Sequence, residues 1–273
     1  MHSVVAVAPQ HPGESTIATP QGDLYLSIVL PCYNEQKRLP DTLRRVGEFL
    51  RSRPYSAEVV VVDDGSSDDT AALVEQAMRQ DPSIRLIKNE HRGKAYAVRT
   101  GMLAAEGRYV LFTDADGATP ITELDQLLAL LEAGADVAIA SREGAGARRI
   151  GEPWHRHVMG RVFNLIVRIV ALPGIHDTQC GFKCFRREAA RDLFSRMRLY
   201  GDQAGTVRGA LLTGFDVEVL FLARKWGYRI AEAPVAWYYG SESKVNPLKD
   251  SWRNLRDVLL VRWNDLRGRY PQK

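Results

Sequence analysis

A chain of 273 residues can bury a full hydrophobic core, and 45% hydrophobic with 26% charged content is ordinary for a soluble globular protein, as one large domain or one domain with an appendage. The net charge of +4 is local: residues 248–273 hold seven Lys/Arg against three Asp/Glu and the other 247 residues balance, which argues against a generic nucleic-acid binder and for a local anionic contact. Three cysteines, Cys32, Cys180 and Cys184, fit a reducing compartment with buried thiols rather than disulfides or a zinc site, and no apolar stretch reaches the roughly 18 residues a spanning helix needs.

Residues 1–23 carry Pro, Gly, Ser and Thr without period and no signal-peptide pattern, so they read as a disordered or loosely docked tail, with nothing in them able to span a bilayer. An apolar strand over 24–30 stops at Pro31. A helix over 38–52 follows, with Leu39, Leu43, Val46 and Leu50 on one face. The strand 58–62 ends at Asp63-Asp64-Gly65-Ser66-Ser67-Asp68, where Ser67 or Asp68 can cap a helix over 70–79. Next come a strand over 84–87, a helix over 93–105, a strand over 109–113, a helix over 121–131 and a strand over 136–140. Fully apolar strands alternating with helices predict an α/β fold, a parallel sheet covered on both faces.

The second half differs. A long apolar helix is predicted over 157–172, with Arg161 and Arg168 on one face. Then come a polar stretch over 177–182, helices from Arg187 and over 215–226, a strand over 235–239 and a Gly/Ser/Lys loop. From 246 to 273 a helical stripe of Leu248, Trp252, Leu255, Leu259, Leu266 and Tyr270 is flanked by Arg253, Arg256, Arg262, Arg267 and Arg269. Such a basic amphipathic helix either lies in a membrane interface or docks on the protein's own core. The 157–172 helix has the same two readings.

Ligands of open α/β sheets bind beyond the carboxyl ends of the strands. Three polar clusters stand there: Pro31-Cys32-Tyr33-Asn34-Glu35, Asp63-Asp64-Gly65-Ser66 and Asp114-Ala115-Asp116-Gly117. The last suits a hard divalent cation carrying phosphate oxygens, although acidic pairs in turns are also often merely solvated. Asp63 and Asp64 can accept hydrogen bonds from a base or ribose, or serve a turn and helix cap. Neither GxxxxGK[ST] nor GxGxxG is present after the first strand, so phosphates must be neutralised by other means.

Together, 28–35, 59–68 and Asp114-Ala115-Asp116 resemble the inverting family-two glycosyltransferases of the GT-A fold, in the right order and at the right strand ends, over roughly residues 24 to 245. Arg92-Gly93-Lys94-Ala95, Asp114 to Thr119, Asp177 to Lys183 and Phe215-Asp216-Val217-Glu218 resemble the dolichyl-phosphate β-glucosyltransferases within it. The mannose synthases fit less well, since they typically continue Leu-Gln-His-Pro where this chain has Gly117-Ala118-Thr119-Pro120. The implied fold is a Rossmann-like, mostly parallel sheet flanked by helices. Residues 24–140 form the nucleotide-sugar half, 141–245 the acceptor half, and 246–273 a C-terminal amphipathic helical extension.

The resemblance implies transfer of a sugar, glucose from UDP-glucose, with inversion to the phosphate of a polyprenol. Alternatives are a mannose synthase-like enzyme using GDP-mannose, a family-two transferase with a soluble acceptor, and a nucleotide-sugar-binding protein without catalysis. By the same resemblance Pro31, Tyr33, Glu35 and Asp64 line the nucleoside pocket, and Asp63 either assists or is structural. Asp116 ligates Mg²⁺ or Mn²⁺ on the diphosphate, with Asp114 nearer the ribose and sugar. Arg92 and Lys94 reach the donor sugar or phosphates. Asp216 and Glu218 are the candidates for a base, and Asp177 organises the loop or the sugar. Ser141, Arg142, Gln179 and Lys244 meet phosphate or acceptor; for a single cation the other reading is a solvated side chain. The expected setting is cytoplasmic, peripheral at the cytoplasmic face of a membrane.

Overall fold

The computed structural model describes residues 24–201, 205–207, 209, 214–240 and 247–272, and within these not the side chains of 155 and 247–251. The 1–23 tail, Lys244 and the Leu248 side chain lie outside this description.

The first half alternates β1 (Leu26–Cys32), α1 (Leu39–Arg51), β2 (Ala57–Asp63), α2 (Thr70–Gln80), β3 (Ile84–Lys88), α3 (Lys94–Ala104), β4 (Tyr109–Thr113), α4 (Leu124–Glu132) and β5 (Val137–Ser141). The second half adds β6 (Arg148–Ile150), α5 (Trp154–Val170), β7 (Phe182–Arg186), α6 (Arg187–Ser195), α7 (Phe215–Lys225), β8 (Ile230–Pro234), β9 (Ala236–Tyr238) and α8 (Pro247–Leu266). Seven strands make one sheet in the order β3-β2-β1-β4-β7-β5-β8, and β6 pairs with β9 beside it.

The sheet is mostly parallel, as the apolar runs predict, with one exception. Between the polar stretch expected over 177–182 and the helix expected from Arg187, Phe182–Arg186 forms β7, antiparallel to both β4 and β5. Its pattern hid it: Lys183 interrupts Phe182, Cys184 and Phe185, yet all four are buried. The predicted strand at 235–239 is β9, and a further strand, β8, which no expectation covered, precedes it. Val235 separates β8, on the sheet edge, from β9.

Alternation along the strands makes two cores. Val29, Val60, Val62 and Phe112 face α3, α6 and α7, whereas Ile28, Leu30, Val59, Val61 and Leu111 face α1 and α4. Cys32, Cys180 and Cys184 are buried free thiols, and burial, then the Asp177 charge, raises the Cys180 pKa to about 11. The last helix is docked on the protein's own core and still leaves large apolar side chains in solvent. Val258, Val261 and Tyr270 are buried in the α7 core, while Trp252, Leu259, Trp263 and Leu266 are exposed.

Helix α3 approaches the sheet closely because Gly101 has no side chain. A Cβ there would stand 2.3 Å from Val29 Cγ1 and 3.0 Å from Val62 Cγ2. Gly101→Ala is therefore expected to destabilise the protein by about 1–3 kcal/mol, read as a lower urea midpoint with unchanged slope. An unchanged midpoint would mean that this junction yields without cost.

Candidate active site

The loops after β1 and β2 are fastened to each other. Asn34, in the left-handed region at φ 53°, accepts the Ser67 N–H at 2.9 Å, and its own N–H reaches Ser66 Oγ at 2.9 Å. The Glu35 N–H donates to Thr70 Oγ1 at 2.8 Å, and the Asp64 N–H to the Cys32 carbonyl at 2.8 Å. Asp63 Oδ1 accepts the Ser66 N–H at 3.2 Å and the Ser66 hydroxyl, so the bonds it makes are those of the turn.

Asp64 is 2% exposed and orders the loop before α3. Its Oδ1 accepts the Arg92 N–H at 3.1 Å, and its Oδ2 accepts the Gly93 N–H at 2.8 Å and meets His91 Nδ1 at 2.7 Å. The His91 ring lies flat on Tyr33, with centroids 3.9 Å apart at 3°. Pro31 is a buried rung of β1, and the Glu35 carboxylate is held by both arms of Arg38 at 2.7 Å. The Arg92 guanidinium contacts Glu90 at 3.0 Å and lies over the Tyr96 ring.

The acidic triplet is gripped from both sides. Thr42 Oγ1 of α1 donates to the Ala115 carbonyl at 2.7 Å, and the Asp114 N–H reaches the Gly181 carbonyl, ahead of β7, at 3.2 Å. Lys94, the first residue of α3, pairs with Asp114 Oδ1 at 2.5 Å. Asp116 is exposed, and its Oδ1 accepts the Ala118 N–H at 3.0 Å. Loss of hydration in the cleft, then the Asp114 charge, raises the Asp116 pKa. Burial opposes the charge on Lys94, but Asp114, Asp216 and Asp116 outweigh it and raise that pKa.

This donor set fits a metal only in company. Among the described residues no three His, Cys, Asp or Glu side chains gather to hold an ion. One crowded carboxylate next to a second is instead what a divalent cation needs when phosphate oxygens supply its other ligands.

A second group of charged side chains gathers around β7. Lys183 is 1% exposed, and its ammonium donates to Asp216 Oδ1 at 2.5 Å and to the Cys180 carbonyl. Asp216 stands in the first turn of α7; burial raises its pKa, against Lys183 and then Lys94, which lower it. Asp177 is fully buried and holds the Arg142 guanidinium in a fork, at 2.7 Å to Nε and 2.9 Å to Nη2, besides the Arg142 N–H at 3.0 Å. That pairing, outweighing burial, drives the Asp177 pKa far below the carboxylate range. Ser141 is buried, with its hydroxyl on the Glu143 carbonyl at 3.2 Å. Gln179 sits two residues on, its N–H on Asp177 Oδ1 at 3.1 Å.

Some expected residues are placed elsewhere. Glu218 is fully buried and accepts the Arg198 N–H at 2.8 Å, the Leu199 N–H at 3.2 Å and the Tyr270 hydroxyl at 2.6 Å, which is a structural brace and not a base facing a substrate. Asp177 likewise works through Arg142. Conversely, His91 and Lys183 were not singled out for the site. Lys183 carried a signal, since a lysine inside an apolar run must find a buried partner.

Residues 27–194 match the family described as glycosyl transferase family 2. The chain is 34% identical over 263 residues to a dolichyl-phosphate β-glucosyltransferase of Dictyostelium discoideum, covering 91% of this chain and 77% of that protein. It is also 34% identical over 265 residues to the human dolichyl-phosphate β-glucosyltransferase, covering 89% and 76%. Among solved structures, glucosyl-3-phosphoglycerate synthase from Mycobacterium tuberculosis, in complex with Mn²⁺, UDP and glucosyl-3-phosphoglycerate, superposes with a TM-score of 0.60. That match covers 92% of this chain and 81% of the other at 18% identity, a likeness of fold alone.

Gly181 makes room for the triplet: a Cβ there would lie 2.3 Å from Asp114 Oδ2 and 2.6 Å from Asp114 Cγ. Gly181→Ala is expected to push Asp114 off Lys94 and to destabilise the protein by about 1–3 kcal/mol, read as a lower urea midpoint. An unchanged midpoint would mean that the Asp114 carboxylate shifts there without cost.

Proposed function

Because the chain belongs to glycosyl transferase family 2 and is a glycosyltransferase, we propose that it transfers glucose from UDP-glucose, with inversion, to the phosphate of a membrane polyprenol such as dolichol. The observation that carries this reading is the Lys94 ammonium. It pairs with Asp114 at 2.5 Å and feels both Asp116, at the donor end, and Asp216, at the acceptor end. The choice of glucose and dolichyl phosphate is supported by the names of the relatives.

A phosphate oxygen of the acceptor attacks the anomeric carbon from the face opposite UDP. The C–O bond to UDP breaks, and its electron pair leaves on the diphosphate. The flat shelf of Tyr33 and His91 receives the base, with Asp64 holding the 91–93 loop beneath it. Mg²⁺ or Mn²⁺ held by Asp116 would supply charge for the leaving diphosphate. A synthase of the same fold bound to Mn²⁺ and UDP supports a divalent cation on the donor, not the choice of Asp116. Lys94 and Asp114 orient the sugar side of the donor.

The acceptor is an anion at neutral pH, so it needs orientation more than deprotonation. Asp216, fixed by Lys183, orients it, and Arg142 offers it the Nη1 edge that Asp177 does not take. Lys244 stays a proposed phosphate contact outside the described residues.

Access to a lipid acceptor calls for a surface. No described helix is long and apolar enough to cross a membrane. On α5, however, Trp154 (78% exposed), Val158, Val162, Leu165 and Ile169 form an exposed stripe at helical spacing. The α8 stripe of Trp252 (73% exposed), Leu259, Trp263 and Leu266 stands on the helix packed beside it. Arg161 and Arg168 on α5 and Arg253, Arg256 and Arg267 near α8 supply positive charge. We assign peripheral contact with an anionic cytoplasmic leaflet to this pair of helices, rather than to α8 alone.

Purified protein with UDP-glucose, Mn²⁺ and a short polyprenyl phosphate is expected to form the lipid-linked glucose. Asp116→Asn should lower kcat about 10²–10³-fold and remove the metal dependence of UDP binding. Turnover only with GDP-mannose, or only with a soluble acceptor, would replace this reading; an unaffected Asp116→Asn enzyme would remove Asp116 from it. In vesicle sedimentation, Leu165→Asp with Ile169→Asp should reduce binding to phosphatidylserine-containing vesicles at least several-fold, and wild-type binding should fall with salt. Equal sedimentation of both proteins would dismiss the α5 face.

A further inference from the structure

Asp257 of α8 takes no part in the reaction above, yet its carboxylate is 1% exposed. Its Oδ2 accepts the Gly214 N–H at 3.0 Å and the Tyr200 hydroxyl at 2.5 Å. Arg256 lies 3.4 Å from Oδ1 and is itself mostly exposed. A carboxylate buried on two neutral donors costs free energy, so its place needs a reason.

Gly214 is the N-cap of α7, and Asp216 follows two residues later. Asp257 therefore holds the backbone where the chain enters the helix that carries Asp216. Its negative charge beside that N-terminus also suits the helix dipole. The joint is close: a Cβ on Gly214 would lie 3.1 Å from Asp257 Cβ and 3.4 Å from the Asn254 carbonyl oxygen. One turn further along α7, the Glu218 carboxylate takes the Tyr270 hydroxyl at 2.6 Å. The segment from Asn254 to Tyr270 thus grips α7 at two points, and the first lies two residues before Asp216.

We propose that Asp257 is a positioning residue for Asp216: through the Gly214 N–H it sets where the first turn of α7 stands, and it ties α8 to the acceptor end of the cleft. This rests on the placement of Asp216 at that end. The donor end stands on other elements, since Asp64 follows β2, Lys94 opens α3 and Asp114 follows β4. Loss of the Asp257 contact should therefore slow turnover without loosening the donor.

The experiment compares Asp257→Ala, Asp257→Asn, Gly214→Ala and Asp216→Ala in the full chain, with kcat expressed per UDP-binding site so that unfolded protein is not counted. Asp257→Ala is expected to lower kcat about tenfold or more, with the KM for UDP-glucose and the Kd for UDP within about twofold of wild type. Asp257→Asn, whose amide oxygen in the place of Oδ2 can accept both the Gly214 N–H and the Tyr200 hydroxyl while its NH₂ takes the place of Oδ1, from which the mostly exposed Arg256 can swing away, should keep half the activity or more. Gly214→Ala leaves the carboxylate in place but forces the helices apart, so it should reproduce the kcat loss, and it decides the matter if Asp257→Ala does not fold. The proposal is overturned if Asp257→Ala keeps wild-type kcat, if its donor KM rises in step with the loss, or if Asp257→Asn is equally impaired. Wild-type turnover by Asp216→Ala would sink the acceptor-end reading and this inference with it. An inactive Asp216→Ala beside a fully active Asp257→Ala would sink this inference alone.

Discussion

A lysine inside the sheet organises this cleft. Lys183 is 1% exposed on β7, and its ammonium is satisfied there by hydrogen bonds to Asp216 and the Cys180 carbonyl. The strand that carries it is the one antiparallel member of the sheet, inserted between β4 and β5. That insertion brings Gly181 against Asp114 and Lys183 against Asp216. Two carboxylates more than a hundred residues apart are so referred to a single strand.

Around that strand, negative charge is stored and only partly compensated. Asp116 and Asp216 both have raised pKa values, the exposed Asp116 through lost hydration and then the Asp114 charge and Asp216 through burial, and Lys94 is strengthened as a cation by three carboxylates. A cleft in this condition favours an incoming divalent cation at one end and a positioned anion paired with fixed cations at the other. The buried Arg142–Asp177 fork contributes stiffness: its carboxylate is far too acidic to move a proton near neutral pH, and its work is orientation.

The outer faces of α5 and α8 stand apart from this polar interior. Each helix is docked, α5 by Val167 and α8 by Val258 and Val261, and each leaves large apolar side chains in solvent. Exposed tryptophans and leucines at helical spacing on two adjacent helices are costly for a protein surrounded only by water, and they suit an interface. Because α8 also braces α7, the exposed apolar face of α8 and the Asp216 carboxylate belong to one packed unit.

The strand–helix alternation, the strand-end clusters at Pro31–Glu35, Asp63–Ser66 and Asp114–Gly117, and the family were legible in the amino-acid sequence, because apolar periodicity and short motifs are local properties. β7 was not, because one buried lysine broke its pattern and only a partner thirty-three residues away makes that lysine tolerable. For the same reason the sequence could propose Asp177 and Glu218 as chemical groups but could not assign their partners. Burial against Arg142 in one case, and against Tyr270 and two backbone N–H groups in the other, decides that both are braces. Residue type and spacing determined which side chains were available for chemistry; tertiary structure alone decided which of them keep a free face, since hydrogen-bond satisfaction and desolvation depend on neighbours that are distant along the chain.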